Sequence, residues 1–217
     1  EQDMRKMGGI WKKIPVTYAL IWIGSLALAG IWPFAGYFSK DVILEATYAA
    51  GTLAGSYAFW IGIVAAFLTA FYSWRLLIMT FHGQPRADEK TMANIHESPK
   101  VMIIPLLLLA AGAMFMGYIG YENFVGHGAD AFWGNSILVL PSHHALENAH
   151  KAPQWVKLLP ISVGGAGILL AFFLYFIVPV VPGLLAERFS GIYRFLYNKW
   201  YFDDLYDLIF LRPAFFL

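Results

Sequence analysis

The sequence contains no cysteine in its 217 residues. That excludes a disulfide, a thiolate zinc site and an iron–sulfur cluster carried by this chain. Charge is scarce as well. Asp, Glu, Lys and Arg together make up 13%, where a soluble domain holds about a quarter. The formal net charge is +1, which argues against a nucleic-acid partner, whose electrostatic footprint is a strongly basic face. No glycine-rich phosphate loop, dinucleotide fingerprint or catalytic-triad pattern is present. Residue 1 is Glu and the layout of a signal peptide is missing, while the last residues, after Arg212 and Pro213, are apolar. These ends are the ones expected of an internal piece of a longer polypeptide.

What the chain has is apolar surface. Hydrophobic residues account for 59% and aromatic residues for 18%. They fall in blocks of the length a bilayer core requires, roughly 20 residues per helix. The first runs over 14–38 without a charge, meets Ser39, Lys40 and Asp41, and continues as an apolar stretch to about residue 50. It is too long for one straight span, and Gly30, Pro33 and Gly36 punctuate it. Proline removes a backbone donor and clashes with the preceding turn, so the pattern predicts a break over 29–34, with half-helices over 16–30 and 34–50. The second block, 53–81, is interrupted by Arg75, and Ala58, Gly62, Ala66 and Ala70 form a small-residue stripe suited to close helix contact in lipid. The third block is 101–121. The fourth is 158–186, with Gly164, Gly165 and Gly167 inside it and Pro179 and Pro182 near its end. The expected fold is all-α and integral to the membrane, with four transmembrane helical segments, the first discontinuous. A C-terminal amphipathic helix would lie at the interface.

Basic residues set the orientation. Arg5, Lys6, Lys12 and Lys13 precede the first block, Arg86, Lys90 and Lys100 lie in the 83–100 connection, and Arg188, Arg194, Lys199 and Arg212 lie in the tail. Four spans put all three segments on one side, which is then the cytoplasmic or matrix side. The Gly51 turn and the 122–157 loop face the other. Three parts follow: a cytoplasmic segment over 1–13, a four-span part over 14–186, and an amphipathic helix starting at 187 and reaching 217. Phe189, Ile192, Phe195 and Leu196 recur in that last part at helical spacing among basic residues.

Lys40 is the leading candidate for chemistry. A lysine at a helix centre in the bilayer costs roughly 2.5–3.5 kcal/mol on insertion scales. Roughly ten residues separate it from the Gly51 turn, which places it about 15 Å from the membrane face. Reaching the surface from there is hard. An amine whose charged form is that costly can load and release a proton. Asp41 is an adjacent partner, although helix neighbours point about 100° apart. The competing reading is a satisfied ion pair used only for packing. The break beside Lys40 adds weight, because freed backbone groups at membrane depth are tolerated where they face protein or water and recur at ion sites. Arg75 and His82 lie near the cytoplasmic end of the second block. An interfacial anchor and an interfacial histidine are the plain readings, a proton shuttle the sharper one. His127, His143, His144 and His150 in the long loop match no metal-ligand spacing and read as a solvated loop. Asp203, Asp204 and Asp207 read as a surface patch or a subunit contact.

Four stretches in order, QDMRKMGG, SLALAGIWPFAGYFSKD, WRLLIMTFHG and YNKWYFDDLYD, resemble the C-terminal portion of the antiporter-like subunit L (mitochondrial subunit 5) family of proton-pumping NADH:quinone oxidoreductase, respiratory complex I. The resemblance covers nearly the whole chain and is weakest over 122–157. SLALAGIWPFAGYFSKD is shared in looser form with sister antiporter-like subunits and with multisubunit sodium/proton antiporters. It implies that Lys40 is the proton-channel lysine in the second half of a discontinuous helix and Asp41 its neighbour. The region 16–50 would be helix 12 of the family, the next three spans helices 13 to 15, and the tail the start of the long lateral helix. The first half-channel's lysine and glutamate and the final anchoring span fall outside these residues. Trp32 is an unusual residue at its position in the break.

The function so implied is a proton-translocating membrane subunit with no redox centre on this chain. NADH, flavin, iron–sulfur clusters and quinone would belong to partner subunits, and the lipid bilayer and sister subunits would surround it. The membrane would be a bacterial plasma membrane or the mitochondrial inner membrane. Two alternatives stay open: a subunit of a sodium/proton antiporter, and a structural membrane scaffold.

Overall fold

The computed structural model describes residues 3–137, 140 and 144–215. All regular structure among them is helical. The chain forms two compact units, one up to Phe176 and one from Ile177 onward.

The first unit begins with a single turn, Met4–Lys6, and then α1 (Pro15–Ala29) and α2 (Ala35–Ala49), the two halves of the discontinuous segment. They break where the glycines and Pro33 foretell it. α3 (Leu53–Phe81) follows after a turn at Gly51, whose φ is positive. The hydroxyl of Thr52 caps it, accepting from the Gly55 amide at 3.0 Å. The short α4 (Glu89–Asn94) is capped by Asp88. α5 (Lys100–Phe124) starts after Pro99, which needs no backbone donor there. Two further short helices, α6 (Ala129–Trp133) and α7 (Ala145–His150), lie in a stretch that sequence polarity reads only as loop. α8 (Gln154–Phe172) begins directly after Pro153 and passes into a π-helical turn, Phe173–Ile177. It starts and stops earlier than the apolar block suggests, because Pro153 opens it and Pro179 has no N–H to continue it.

Among the described residues three helices are long and apolar enough to cross a membrane: Leu53–Phe81, Lys100–Phe124 and Gln154–Ile177. α1 is apolar but shorter, and with α2 it forms the discontinuous segment. α3 is the central element. Ala29, Ala70, Trp74, Ile78 and Ala171 form one buried cluster, Leu44, Phe59, Ile63 and Val156 a second, and Ile10, Leu77 and Phe81 a third. Small residues let the backbones approach: a Cβ placed on Gly167 of α8 would meet the Phe67 carbonyl oxygen and the Ala70 side chain. In the predicted stripe, Ala66 and Ala70 are buried, Gly62 faces Leu44, and Ala58 is exposed. α5 buries Ala110 and Gly117 and turns Leu108, Leu109 and Ile119 outward. Such apolar exposure is what hydrocarbon accepts and water does not.

One end of the unit is tied together by polar contacts. The amides of Gly9 and Trp11 donate to the carbonyls of His82 and Phe81. Arg86 donates to the carbonyls of Met4, Arg5 and Met79. α1 has no cap of its own, since Ile14 at that position carries no acceptor. Glu97 supplies one from far along the chain. Its carboxylate accepts from the Val16 amide at 2.8 Å, the Thr17 amide at 3.2 Å and the Thr17 hydroxyl. Burial pushes this carboxyl up, but the hydrogen bonds from Thr17 and Val16 outweigh it and leave Glu97 below its ordinary value. A lowered carboxyl contributes stability that is present above its unfolded value and is lost as pH falls through the folded one. Glu97→Ala is therefore expected to cost about 1–2 kcal/mol. The loss should appear in thermal unfolding of the detergent-solubilised protein near neutral pH and shrink below the usual carboxylate range.

The second unit is helical in pieces. α9 (Val181–Arg188) and α10 (Ser190–Tyr197) meet at Phe189. Lys199, Trp200 and Tyr201 have left-handed backbone, with φ of 52°, 62° and 57°, and turn the chain before α11 (Phe202–Tyr206). A π-helical turn, Asp207–Leu211, then leads into α12 (Arg212–Ala214). Asp203 pairs with Lys199 and Asp207 with Arg212, each at 2.8 Å. Both pairs are exposed and contribute little by themselves.

Candidate functional site

The site is built around the gap between α1 and α2. Gly30 takes a left-handed conformation, φ 71° and ψ 36°. Its amide donates to the Ala27 carbonyl, and the Ile31 amide donates to that of Leu26, each at 3.1 Å. This is the Schellman closure, and Leu26 and Ile31 pack on the same buried cluster. The Trp32–Pro33 peptide is cis, and the Phe34 amide closes a turn on the Ile31 carbonyl at 3.0 Å. Trp32 is exposed.

The closure leaves the Ala29 carbonyl at the end of α1 to a side chain. Lys40 Nζ donates to it at 2.5 Å. The ammonium therefore sits on the negative end of a half-helix, where a cation gains roughly 0.3–1 kcal/mol and up to about 2 in partly buried geometry. That is less than the roughly 2.5–3.5 kcal/mol such a charge costs at mid-span. The lysine is held in place but its charge is not fully compensated.

Gly30 and Gly36 make this approach possible. A Cβ on Gly30 would strike Lys40 Nζ, and one on Gly36 would strike the Ala27 carbonyl. The two half-helices thus touch backbone to backbone, with the lysine laid across the seam.

Asp41 does not neutralise Lys40 by direct contact. It is 5% exposed, and both carboxylate oxygens are buried without a hydrogen-bond partner among the described residues. Its charge and that of Lys40 attract each other electrostatically. A buried carboxylate without a partner is rare in proteins. The structure thus brings Lys40, Asp41, Gly30 and Gly36 together at one gap, with Pro33 in the turn between the halves.

Arg75 and His82 lie elsewhere. Arg75 stacks on the Tyr175 ring, 5.4 Å from its centroid, with Nε buried and unpartnered. His82 Nε2 hydrogen-bonds the Tyr18 hydroxyl at 2.9 Å. Tyr18 and Ala29 are eleven residues apart on α1, roughly 16 Å along the axis, so His82 serves the opposite end of that helix from Lys40.

Sequence reading misses Glu45. The stretch to residue 50 is taken as apolar, yet Glu45 lies in it, half-buried and one turn beyond Asp41. Tyr37, Asp41 and Glu45 recur at i, i+4 and i+8 and share a face of α2; that spacing was the signal available. Tyr121 of α5 comes within electrostatic range of Glu45 and Tyr37. Glu45 also feels Lys157 and His150. The loop histidines are less scattered than their spacing suggests. His127 and His150 stack with centroids 6.3 Å apart, and His144 lies 3.4 Å from Glu147. His143 lies outside the described residues. Among the described residues no three metal-ligating side chains converge.

Residues 1–69, which hold the break and Lys40, match the family described as NADH:quinone oxidoreductase/Mrp antiporter, TM. The chain is 34% identical to NADH-quinone oxidoreductase subunit L of Rhodobacter capsulatus, over 99% of the chain and 39% of that protein. It is 40% identical to NADH-ubiquinone oxidoreductase chain 5 of Marchantia polymorpha, over 95% of the chain and 31% of that protein. The corresponding protein of Phytophthora infestans is 43% identical over the same shares. The chain is similar over nearly its whole length to subunit L and chain 5 proteins of NADH:quinone oxidoreductase. It spans about a third of the length of the curated relatives it matches, 31–39% in these three. The relatives are bacterial and mitochondrial, and the helices are those of a multi-pass membrane protein.

Proposed function

We propose that this chain is the C-terminal part of a proton-translocating membrane subunit of NADH:quinone oxidoreductase. NADH oxidation and quinone reduction then occur on partner subunits that hold the flavin and iron–sulfur clusters, and sister antiporter-like subunits flank this one in the membrane. Lys40 carries the exchangeable proton and Asp41 modulates it. The observation that supports this is the Lys40 ammonium on the end of a broken helix, incompletely compensated, one residue from a buried carboxylate with no hydrogen-bond partner among the described residues. A proton on Lys40 can leave as the amine forms, because the Ala29 carbonyl holds either form in place. Residues 187–217 are read as the start of the lateral helix.

The test is Lys40→Ala in the complete complex, with proton uptake into vesicles measured beside NADH oxidation. Fewer protons per NADH are expected; an unchanged ratio sinks the role. The family description also names antiporters, which supports a second reading, a sodium/proton antiporter subunit without a redox partner. Purification of the native assembly separates the two, since the first reading requires NADH dehydrogenase activity to travel with the chain.

A further inference from the structure

We propose that Glu45 is the relay group between the Lys40–Asp41 gap and a histidine-lined vestibule on the side of the 122–157 loop. The inference rests on the proton-translocating reading above and names the residues on the release side of the same site.

Three observations carry it. Asp41 is buried with both oxygens unpartnered, so its polar neighbours must be sought along the helix. Glu45 stands one turn further on the same face of α2. It has no hydrogen bond or ion pair among the described residues, and Lys157 and His150 act on it electrostatically. The third observation is the vestibule. α7 packs on α2, with Ala149 fully buried. Beside it lies a cavity of about 620 Å³ lined by His127, Asp130, His144, Glu147, His150 and Lys151 among others. Lys157 donates to the His150 carbonyl at 2.8 Å, which fixes α7 against the first turn of α8. Glu45 thus stands one turn from a buried carboxylate, on the helix against which α7 packs, and His150 of α7 lines the cavity.

The step balances without any co-reactant. Lys40 releases a proton and becomes the neutral amine. Asp41 takes it as the carboxylic acid and passes it along the shared face of α2 to the Glu45 carboxylate. Glu45 delivers it to the imidazoles and water of the vestibule. Each carboxylate returns to its starting charge. The unpartnered Asp41 oxygens and the unpaired Glu45 suit this role, because a group locked in a salt bridge transfers protons slowly or not at all. The same pattern argues against a purely structural Glu45, which would be expected to keep a hydrogen-bonded partner.

The experiment compares Glu45→Gln, Glu45→Asp and Lys40→Ala in the complete complex, with protons taken up per NADH oxidised as the readout. That ratio is read per turnover, so a lower yield of assembled complex does not affect it. Glu45→Gln keeps the size of the side chain and is expected to lose the same fraction of the ratio as Lys40→Ala. Glu45→Asp keeps a titratable group and is expected to retain at least half of the ratio. If Glu45→Gln pumps as the unaltered complex does while Lys40→Ala does not, the relay is overturned and the function stands. If Glu45→Asp fails as badly as Glu45→Gln, the residue serves packing and the relay is likewise overturned. If neither Lys40→Ala nor Glu45→Gln changes the ratio, the functional reading itself fails.

Discussion

The double variant Lys40→Met with Asp41→Asn is expected to assemble normally and to lose proton uptake. Lys40→Met removes a charge that costs roughly 2.5–3.5 kcal/mol in the bilayer and gives up a helix-end interaction returning about 2 at most. Methionine fills much of the same volume and adapts to an irregular seam. Asp41→Asn removes a buried carboxylate that has no hydrogen bond to lose. Both changes should therefore be neutral or mildly stabilising, the general result when a buried ionic group gives way to a neutral one of similar size. Assembly is checked by the subunit content of the purified complex, and function by protons taken up per NADH oxidised. A chain that only needed an ion pair for packing would pump normally after this exchange. Unaltered pumping would therefore support the scaffold alternative. Asp41→Asn alone tests the second member of the pair: it is expected to retain assembly and to lower the ratio as far as the double variant does, since the relayed proton passes through that carboxylate.

Gly36→Leu is expected to damage the site without touching a titratable group. Its Cβ would fall on the Ala27 carbonyl, a backbone atom that cannot swing aside. The halves must then separate, which lengthens the Lys40–Ala29 hydrogen bond and opens the buried seam. Overpacking of this kind costs roughly 1–3 kcal/mol or more. The detergent-solubilised complex should melt lower, and proton uptake per NADH should fall toward the Lys40→Ala value. Gly36→Ala, which adds the smallest side chain, is expected to give a partial version of both effects. Normal coupling in Gly36→Leu would show that the contact between the half-helices is dispensable. Gly30 is constrained differently, since any side chain there meets a left-handed backbone and the end of the Lys40 side chain.

Much of this arrangement is written locally and was legible for that reason. The length of the apolar blocks gives the crossings, and the glycines with Pro33 give the break, because helix ends depend on residues within one turn. Glu97 was not legible. It caps a helix about eighty positions away in sequence, and no propensity scale registers a partner so distant. The partner of Lys40 was hidden for a related reason. Sequence offers Asp41 as its neighbour, but the actual acceptor is the backbone of Ala29, which has no sequence signature at all. Glu45 was overlooked because hydropathy averaging over a long block absorbs a single acid. The loop helices α6 and α7 escaped because they are too short to show a period. His127 and His150 stack only after those helices fold the loop back on itself.

The clasp by Glu97 has a mechanical consequence. α1 is a rod of fifteen residues, roughly 22 Å long, gripped at one end by the carboxylate of a connection between other helices and at the other by the lysine amine. A rod held this way behaves as a lever. A tilt of about 5° about its clasped end moves its far end by roughly 2 Å, a displacement comparable to the length of the bond between Lys40 and Ala29. Small rearrangements of the 82–99 connection on one face of the membrane would thus be transmitted along α1 to mid-depth, where making or breaking that one contact sets whether the amine is anchored or free.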